Sequence, residues 1–489
     1  MTPGKHSRRE FMRSLAIGTG AALLPSSLSA CRTVGQELAP AASGDRASQS
    51  AARGWQMVPE ILARIKPPVF PDRDFDIAHY GAVGDGAMDC TLAFRNAIAA
   101  CAATGGGRVV VPPGRFLTGA VHLRSNVNLH VTKGATVAFS RDPAKYLPQV
   151  LTRFEGTELM NYSPFIYALD QENIGITGEG TLDGQANHEY WWPWKGTASY
   201  GWTPGAPNYN LARNRLLAMA EGGVPVTQRV FGDGDYLRPQ FIQPYRCRNV
   251  LIEDITVVNS PMWEIHPVLC SNVTIRRVRI DSHGPNNDGC DPESCRDVLI
   301  DECVFNTGDD CIAIKSGRNG DGRRVHVPSE NIVIRGCHMV DGHGGVTLGS
   351  EISGGCRYVF VEGCRMDSPR LDMAIRLKNN ASRGGVLEHI YVRDIVVGQV
   401  AQAVLSIDFN YEEGSKGGYK PVARDVEIRN VTSGKSAYAL YLRGFVNAPI
   451  TDIRVIDCTF AGVGHPNMIE HVNGLTLDHV TINGKLIQS

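Results

Sequence analysis

One frame recurs along this chain and constrains its fold more than any other feature. It reads Asn or Asp, an apolar residue, any residue, an apolar residue, two polar residues, then an apolar residue or Cys. Copies begin at Asn249, Asn272, Asp297, Asn331, Asp425 and Asp452, with variants at Tyr358 and His389 and weaker copies at Asn126 and Asn173. Between 249 and 452 the spacings are 23, 25, 34, 27, 31, 36 and 27 residues. A strand-sized unit with loops of variable length cannot bury its apolar face alone, but stacked copies form a continuous core. The predicted fold is therefore all-β, a right-handed parallel β-helix with neighbouring strands roughly 4.8 Å apart. An antiparallel sandwich is the competitor, and its hairpins would not keep one frame in phase over so many copies.

The frame also accounts for cysteines. Cys303, Cys337, Cys364 and Cys458 fall six positions after a frame start, in one column with Ile255, Val278, Ile395, Val431 and Val480. That reads as an internal stack in which free Cys packs as a small apolar side chain. Cys290, Cys295 and Cys311 lie off the column and remain candidates for pairing. No CxxC pair or His-x3-His spacing supports a metal site, and no cofactor is expected.

With 49 Lys and Arg against 50 Asp and Glu, no basic field points to nucleic acid. Ser7-Arg8-Arg9-Glu10-Phe11-Met12 followed by the apolar run Leu15 to Leu24 resembles a twin-arginine export signal, and Leu28-Ser29-Ala30-Cys31 resembles a lipobox. The expected organisation is a signal over 1–31, a linker over 32–71 whose Ala/Ser/Gly-rich start is a flexible tether, and one catalytic β-helix over 72–489. The expected location is the periplasm or cell envelope, held by a lipid on Cys31. Thr91 to Ala103 reads as an amphipathic helix with Leu92, Phe94, Ala97, Ile98 and Cys101 on its apolar side, placed to cap the open end of the helix, with Val109 starting the first coil. Residues 185–246 interrupt the frame and hold Trp191, Trp192, Trp194 and Trp202, either as packing or as a wall of a cleft where sugar rings stack.

Four polar signatures lie in consecutive copies: Asn286-Asn287-Asp288, Gly308-Asp309-Asp310, Gly342-His343-Gly344 and Arg376-Leu377-Lys378. Counted from each frame start, they fall at or just before the expected second strand of successive coils, so stacking brings them to one open face. Three neighbouring carboxyls cannot all ionise freely, so at least one pKa should rise toward a proton donor's range. One protonated and one ionised carboxyl is what glycoside hydrolysis needs. Two adjacent cations answer an anionic substrate. Asp281, Asp291 and Asp301 read as loop caps.

These four signatures, in this order, together with Gly342-His343-Gly344-Gly345-Val346-Thr347-Leu348-Gly349-Ser350, resemble the polygalacturonases of glycoside hydrolase family 28 over roughly residues 72–489. The resemblance implies an inverting, metal-independent hydrolase of α-1,4-galacturonides with a pectic polysaccharide or oligogalacturonide as partner. It implies Asp309 as general acid, Asp288 and Asp310 activating water, and His343 tuning the acid. Arg376 and Lys378 would hold the galacturonate carboxylate, and Asn286 would bind substrate. The chain departs mildly, with Asn-Asn-Asp and Arg-Leu-Lys where the family has Asn-Thr-Asp and Arg-Ile-Lys. The glycine-rich 344–355 segment resembles bacterial exo-acting members, and the 185–246 insertion could block one groove end. Rhamnogalacturonan or xylogalacturonan hydrolysis stays open, as does a Ca-dependent pectate lyase that would use the acids for the ion.

Overall fold

The computed structural model describes residues 43–487, with side chains from residue 54 onward; the export signal, the Cys31 lipobox and the start of the tether lie outside the described residues. The chain divides into two units, Met1–Ala47 and Ser48–Ser489, and the second holds all the described strands. Its strands stack in parallel. One column runs from Asp74–Asp76 through Gly107–Val111, Arg248–Glu253 and Arg296–Asp301 to Val472–Asp478, each strand pairing in parallel with the next of the column. The frame is thus the first strand of each coil of a parallel β-helix.

The backbone explains why the frame opens on Asn or Asp. Asn249, Asn272, Asp297, Asn331, Asp425 and Asp452 all have φ between 52° and 58°, the left-handed region that Asn and Asp tolerate best. Their side chains also form a ladder: Asn272 donates to Asn249, which donates to Asn173, which donates to Asn126. The residue is chosen for the corner, and the corner repeats.

The coil that begins at Arg296–Asp301 has two further strands, Val304–Thr307 and Ile312–Ile314; the last is so short that its signal merges with the turns around it. Asp309 and Asp310 therefore lie on the turn between its second and third strands, His343 lies within the long strand His338–Leu348 of the next coil, and Arg376 and Lys378 lie within Leu371–Lys378. The first coil also starts earlier than Val109, because Asp74–Asp76 already pairs with Gly107–Val111.

The cysteine column is as expected. Cys303, Cys337, Cys364 and Cys458 are buried free thiols in the apolar interior. Cys290, Cys295 and Cys311 do not pair either: the twelve described cysteines are all unpaired and buried. Cys247, Cys270 and Cys295 instead form a second ladder, with successive backbone amides donating to the next sulfur.

One helix departs from the sequence reading and another follows it. Ser43–Arg64 (α1) occupies much of the expected linker, and Val58, Ile61 and Ile65 pack on Val333, Phe360 and Tyr391 of the first strand column. An Ala- and Ser-rich composition suggested a tether, but the apolar residues at 58, 61 and 65 recur at helical spacing and find a greasy strip to cover. Thr91–Ala103 (α2) forms as expected against the first coils, with Phe94, Ala97, Ile98 and Cys101 in the core. Ala93 is buried in place of Leu92, which is exposed.

Candidate active site

Strand register assembles the site. Cys290 bridges to Ile312, Ile312 pairs with Val346, and Val346 pairs with Ile375. Asp288, Asp310 and Gly344 each precede their bridging residue by two, so they stack. Backbone hydrogen bonds follow the same stack, since Gly289 N–H donates to Asp310 O and Cys311 N–H to Gly344 O. Oxygens of Asp288, Asp309 and Asp310 come within 4.8 Å of one another. The glycines flanking His343 are steric requirements. A Cβ on Gly344 would lie 2.7 Å from Asp310 Oδ1, and one on Gly342, at φ 151°, would lie 2.5 Å from Asp309 O.

The three carboxyls have different surroundings. Asp309 keeps 20 % of its side chain exposed and its Oδ1 is 3.0 Å from His343 Nδ1. Although burial acts against ionisation, the His343 hydrogen bond and charge hold the Asp309 carboxyl well below its ordinary range. That same bond raises His343 to about 9, so the pair carries its proton on the imidazole. Asp310 is fully buried and accepts from Lys378 Nζ at 2.6 Å and Arg376 Nη1 at 3.4 Å. Burial opposes its charge, yet those two cations keep it low. Asp288 accepts from Lys315 Nζ at 3.4 Å; burial first, then the charge of Asp309, pushes it to about 7. One carboxyl is thus raised, as expected, but it is Asp288 and not Asp309.

Every site residue named from the sequence is brought to this cluster, and Arg376, Lys378 and Asn286 are already bonded to other side chains of it. Arg376 and Lys378 are engaged with Asp310, with the Tyr411 ring beneath them at 5.6 and 5.1 Å. The Asn286 Oδ1 is taken by Lys195 Nζ and Arg238 Nη2, both at 2.9 Å. Asp291 is no loop cap: it is wholly buried, 3.8 Å from Lys315. By contrast, Asp301 pairs with Arg335 and Asp281 accepts from Asn306 at the surface of the coils.

Several residues of the site have no motif to announce them. Lys315 is a buried ammonium between Asp288, Asp291 and Glu351, its Nζ 4.4 Å from the centre of the Trp263 ring. Its signal in the sequence is a cation ending the apolar run Cys311-Ile312-Ala313-Ile314. A cavity of about 110 Å³ opens beside Asp288 and Asp309. Its far wall comes from the insertion, through Lys195, Tyr209 and Arg213, and from Glu155 at the tip of the antiparallel hairpin Val150–Asn161. Glu155, Arg213, Arg318, Glu351 and Glu412 link into one ion-pair network across that wall. None of the four tryptophans of the insertion lines the cavity. Trp191 and Trp192 are buried in the core, Trp194 packs against it, and Trp202 bonds Ala206 O.

The alternative of a divalent cation among the acids meets an obstacle on chemical grounds. Lys378, Arg376, Lys315 and His343 already contact the three carboxylates, so an ion would have to displace or adjoin four positive groups. What the cluster can do is move protons between carboxyl groups next to a groove that admits a polar chain. A parallel β-helix with such a site is a glycosidase scaffold.

Residues 232–481 match the family model described as Glycosyl hydrolases family 28. The crystal structure of a hyperthermoactive exopolygalacturonase from Thermotoga maritima superposes with a TM-score of 0.87 at 47 % identity, covering 89 % of this chain and 97 % of that one. An exo-poly-alpha-D-galacturonosidase of Dickeya chrysanthemi is 28 % identical over 386 residues, 73 % of this chain and 61 % of that protein. A Vitis vinifera protein named a probable polygalacturonase is 28 % identical over 400 residues, 78 % of this chain and 73 % of the relative. The chain belongs to glycosyl hydrolase family 28.

Proposed function

We propose that this glycosidase is an exo-acting polygalacturonase that removes galacturonate from the chain ends of pectic oligogalacturonides. The observation that carries the exo reading is a wall built outside the coils: Lys195, Tyr209 and Arg213 of the insertion and Glu155 of the hairpin line the cavity that holds Asp288 and Asp309, where they would obstruct a passing chain. The exo-acting Thermotoga maritima relative supports it. Product analysis on polygalacturonate tests it. Monomer alone from the first minutes is expected; an early ladder of oligomers would show internal cleavage. Activity only on a branched pectin would move the substrate to rhamnogalacturonan or xylogalacturonan. Activity that needs calcium and yields an ultraviolet-absorbing double bond would make it a lyase.

For the chemistry, Asp309 is assigned as the general acid because it is the most exposed of the three at the cavity edge, drawing its proton from the His343 pair at 3.0 Å. Asp288 and Asp310 would orient and deprotonate the water. The ionisation order favours a second reading in which Asp288, the one carboxyl raised to about 7, is the donor. A substrate with an activated leaving group separates them: only the variant lacking the acid is rescued by a leaving group that needs no proton. Inversion rests on the family resemblance, since oxygens within 4.8 Å are closer than the roughly 6.5–9.5 Å usual for inverting pairs. The anomer first released, read by proton NMR, decides.

We further infer export by the twin-arginine route and a lipid anchor on Cys31, supported by the sequence alone. Labelling with a radioactive fatty acid that survives Cys31→Ser would refute the anchor. Helix α2 is read as covering the open first coil, and Phe94→Asp should then promote edge association visible by light scattering.

A further inference from the structure

Charge accounting around the cavity singles out Lys195. Lys378 and Arg376 are neutralised by Asp310. Lys315 is shared among Asp288, Asp291 and Glu351. Arg213 pairs with Glu155 at 2.6 Å, and Arg318 meets Glu155, Glu351, Glu412 and Glu413. Lys195 differs. Its Nζ donates only to neutral oxygens, the Tyr209 hydroxyl at 2.8 Å and Asn286 Oδ1 at 2.9 Å, and it forms no ion pair among the described residues. Glu155 feels its field but takes its own ion pairs from the two arginines.

The position of this ammonium is held firmly. Lys195 ends the 3₁₀ turn Trp192–Lys195, and Gly196 turns the chain away at φ 75°. Trp192 Nε1 donates to Ser260 O at 2.8 Å, and the Trp191 and Trp194 rings meet edge to face at 4.8 Å. The clustered tryptophans therefore act as the anchor that delivers a lysine to the cavity wall, two residues from Asp288 by way of Asn286. A carboxylate arriving there would give this ammonium the ion pair that its two neutral acceptors do not supply.

We propose that Lys195 binds the carboxylate of the terminal uronate in this cavity, and so makes this enzyme select an acidic over a neutral sugar at the chain end. The proposal rests on the exo-polygalacturonase reading and adds to Arg376 and Lys378 a second, insertion-borne carboxylate site.

Competitive inhibition by galacturonate and by neutral galactose tests it. In Lys195→Met the galacturonate Ki should rise about tenfold or more, as for losing one charge-assisted hydrogen bond, with galactose inhibition unchanged. KM for a short oligogalacturonide should rise more than kcat falls, and Lys195→Arg should stay near the parent. Should Lys195→Met fold poorly, Lys195→Gln keeps a donor without charge and must show the same split. An unchanged galacturonate Ki in a folded, uncharged variant overturns the proposal. A parent enzyme neither inhibited by galacturonate nor releasing it would instead overturn the functional reading on which the proposal stands.

Discussion

The catalytic turn and the cavity wall are built in opposite ways. The turn residues between 286 and 380 come from consecutive coils, and parallel register places them with little freedom: once Ile312 pairs with Val346, Asp310 and Gly344 are neighbours. The wall residues come from segments outside the coils, the hairpin Val150–Asn161 and the insertion that follows Asp183. Register fixes none of them; buried aromatics and an ion-pair network do. The lesson is a division of labour, in which the repeat supplies the carboxyls and the irregular segments wall the cavity beside them.

The sharpest way to break that division is to compare the two regions by mutation. Asp309→Asn should cut kcat by about 10² to 10⁴, the usual range for losing an acid–base group, with KM little changed. If it retains full turnover on every pectic substrate, the acid is elsewhere. Trp191→Ala loosens the wall's anchor where it packs on Tyr146 and Phe165 of the core, away from the carboxyls. Truncating a buried aromatic costs about 3–5 kcal/mol, so calorimetry should record a clear loss of Tm, accompanied by a raised KM and a largely preserved kcat.

The next test concerns ionisation. Asp288 is faced by Lys315, Lys378, Asp291, Asp309, Asp310 and Glu264, and stands raised to about 7 with Lys315 in place. If Asp288 must be ionised as base, kcat/KM rises as pH climbs through that value. Lys315→Met removes a stabilising positive charge, so this acidic limb should move to higher pH; Lys315→Arg keeps the charge and should leave it in place. A like shift in both variants would mean structural damage instead.

His343 gives a smaller, opposite effect. Its pKa is raised to about 9, first by the Asp309 hydrogen bond, so the paired form is complete below the unfolded-state value of ~6.5 and is lost as pH rises through about 9. The imidazole resonances should titrate near that pH in the parent and return toward the ordinary value in Asp309→Asn. The least effect is expected from reductant: dithiothreitol should leave Tm unchanged, because the described cysteines are all thiols.

The frame starting at Asn249 and its copies was enough to predict stacked parallel coils, because each corner needs a left-handed residue and each strand an apolar pair, and those needs are local. The same logic made Asp288, Asp309, Asp310, His343, Arg376 and Lys378 legible as one cluster. What local pattern could not carry was anything set by contact between distant segments. The third strand of the coil, the docking of α1 on Phe360 and Tyr391, the unpaired state of Cys290, Cys295 and Cys311, and the buried Lys315 all depend on neighbours brought close only by the completed fold. So does the ionisation order, since burial raises Asp288 while two cations hold Asp310 down. The sequence by itself determined the coil and the acids on it, through short-range sterics repeated in phase. Only the tertiary structure decided which carboxyl keeps a proton and which distant segments wall the cavity, because both follow from desolvation and from ion pairs between segments far apart in the chain.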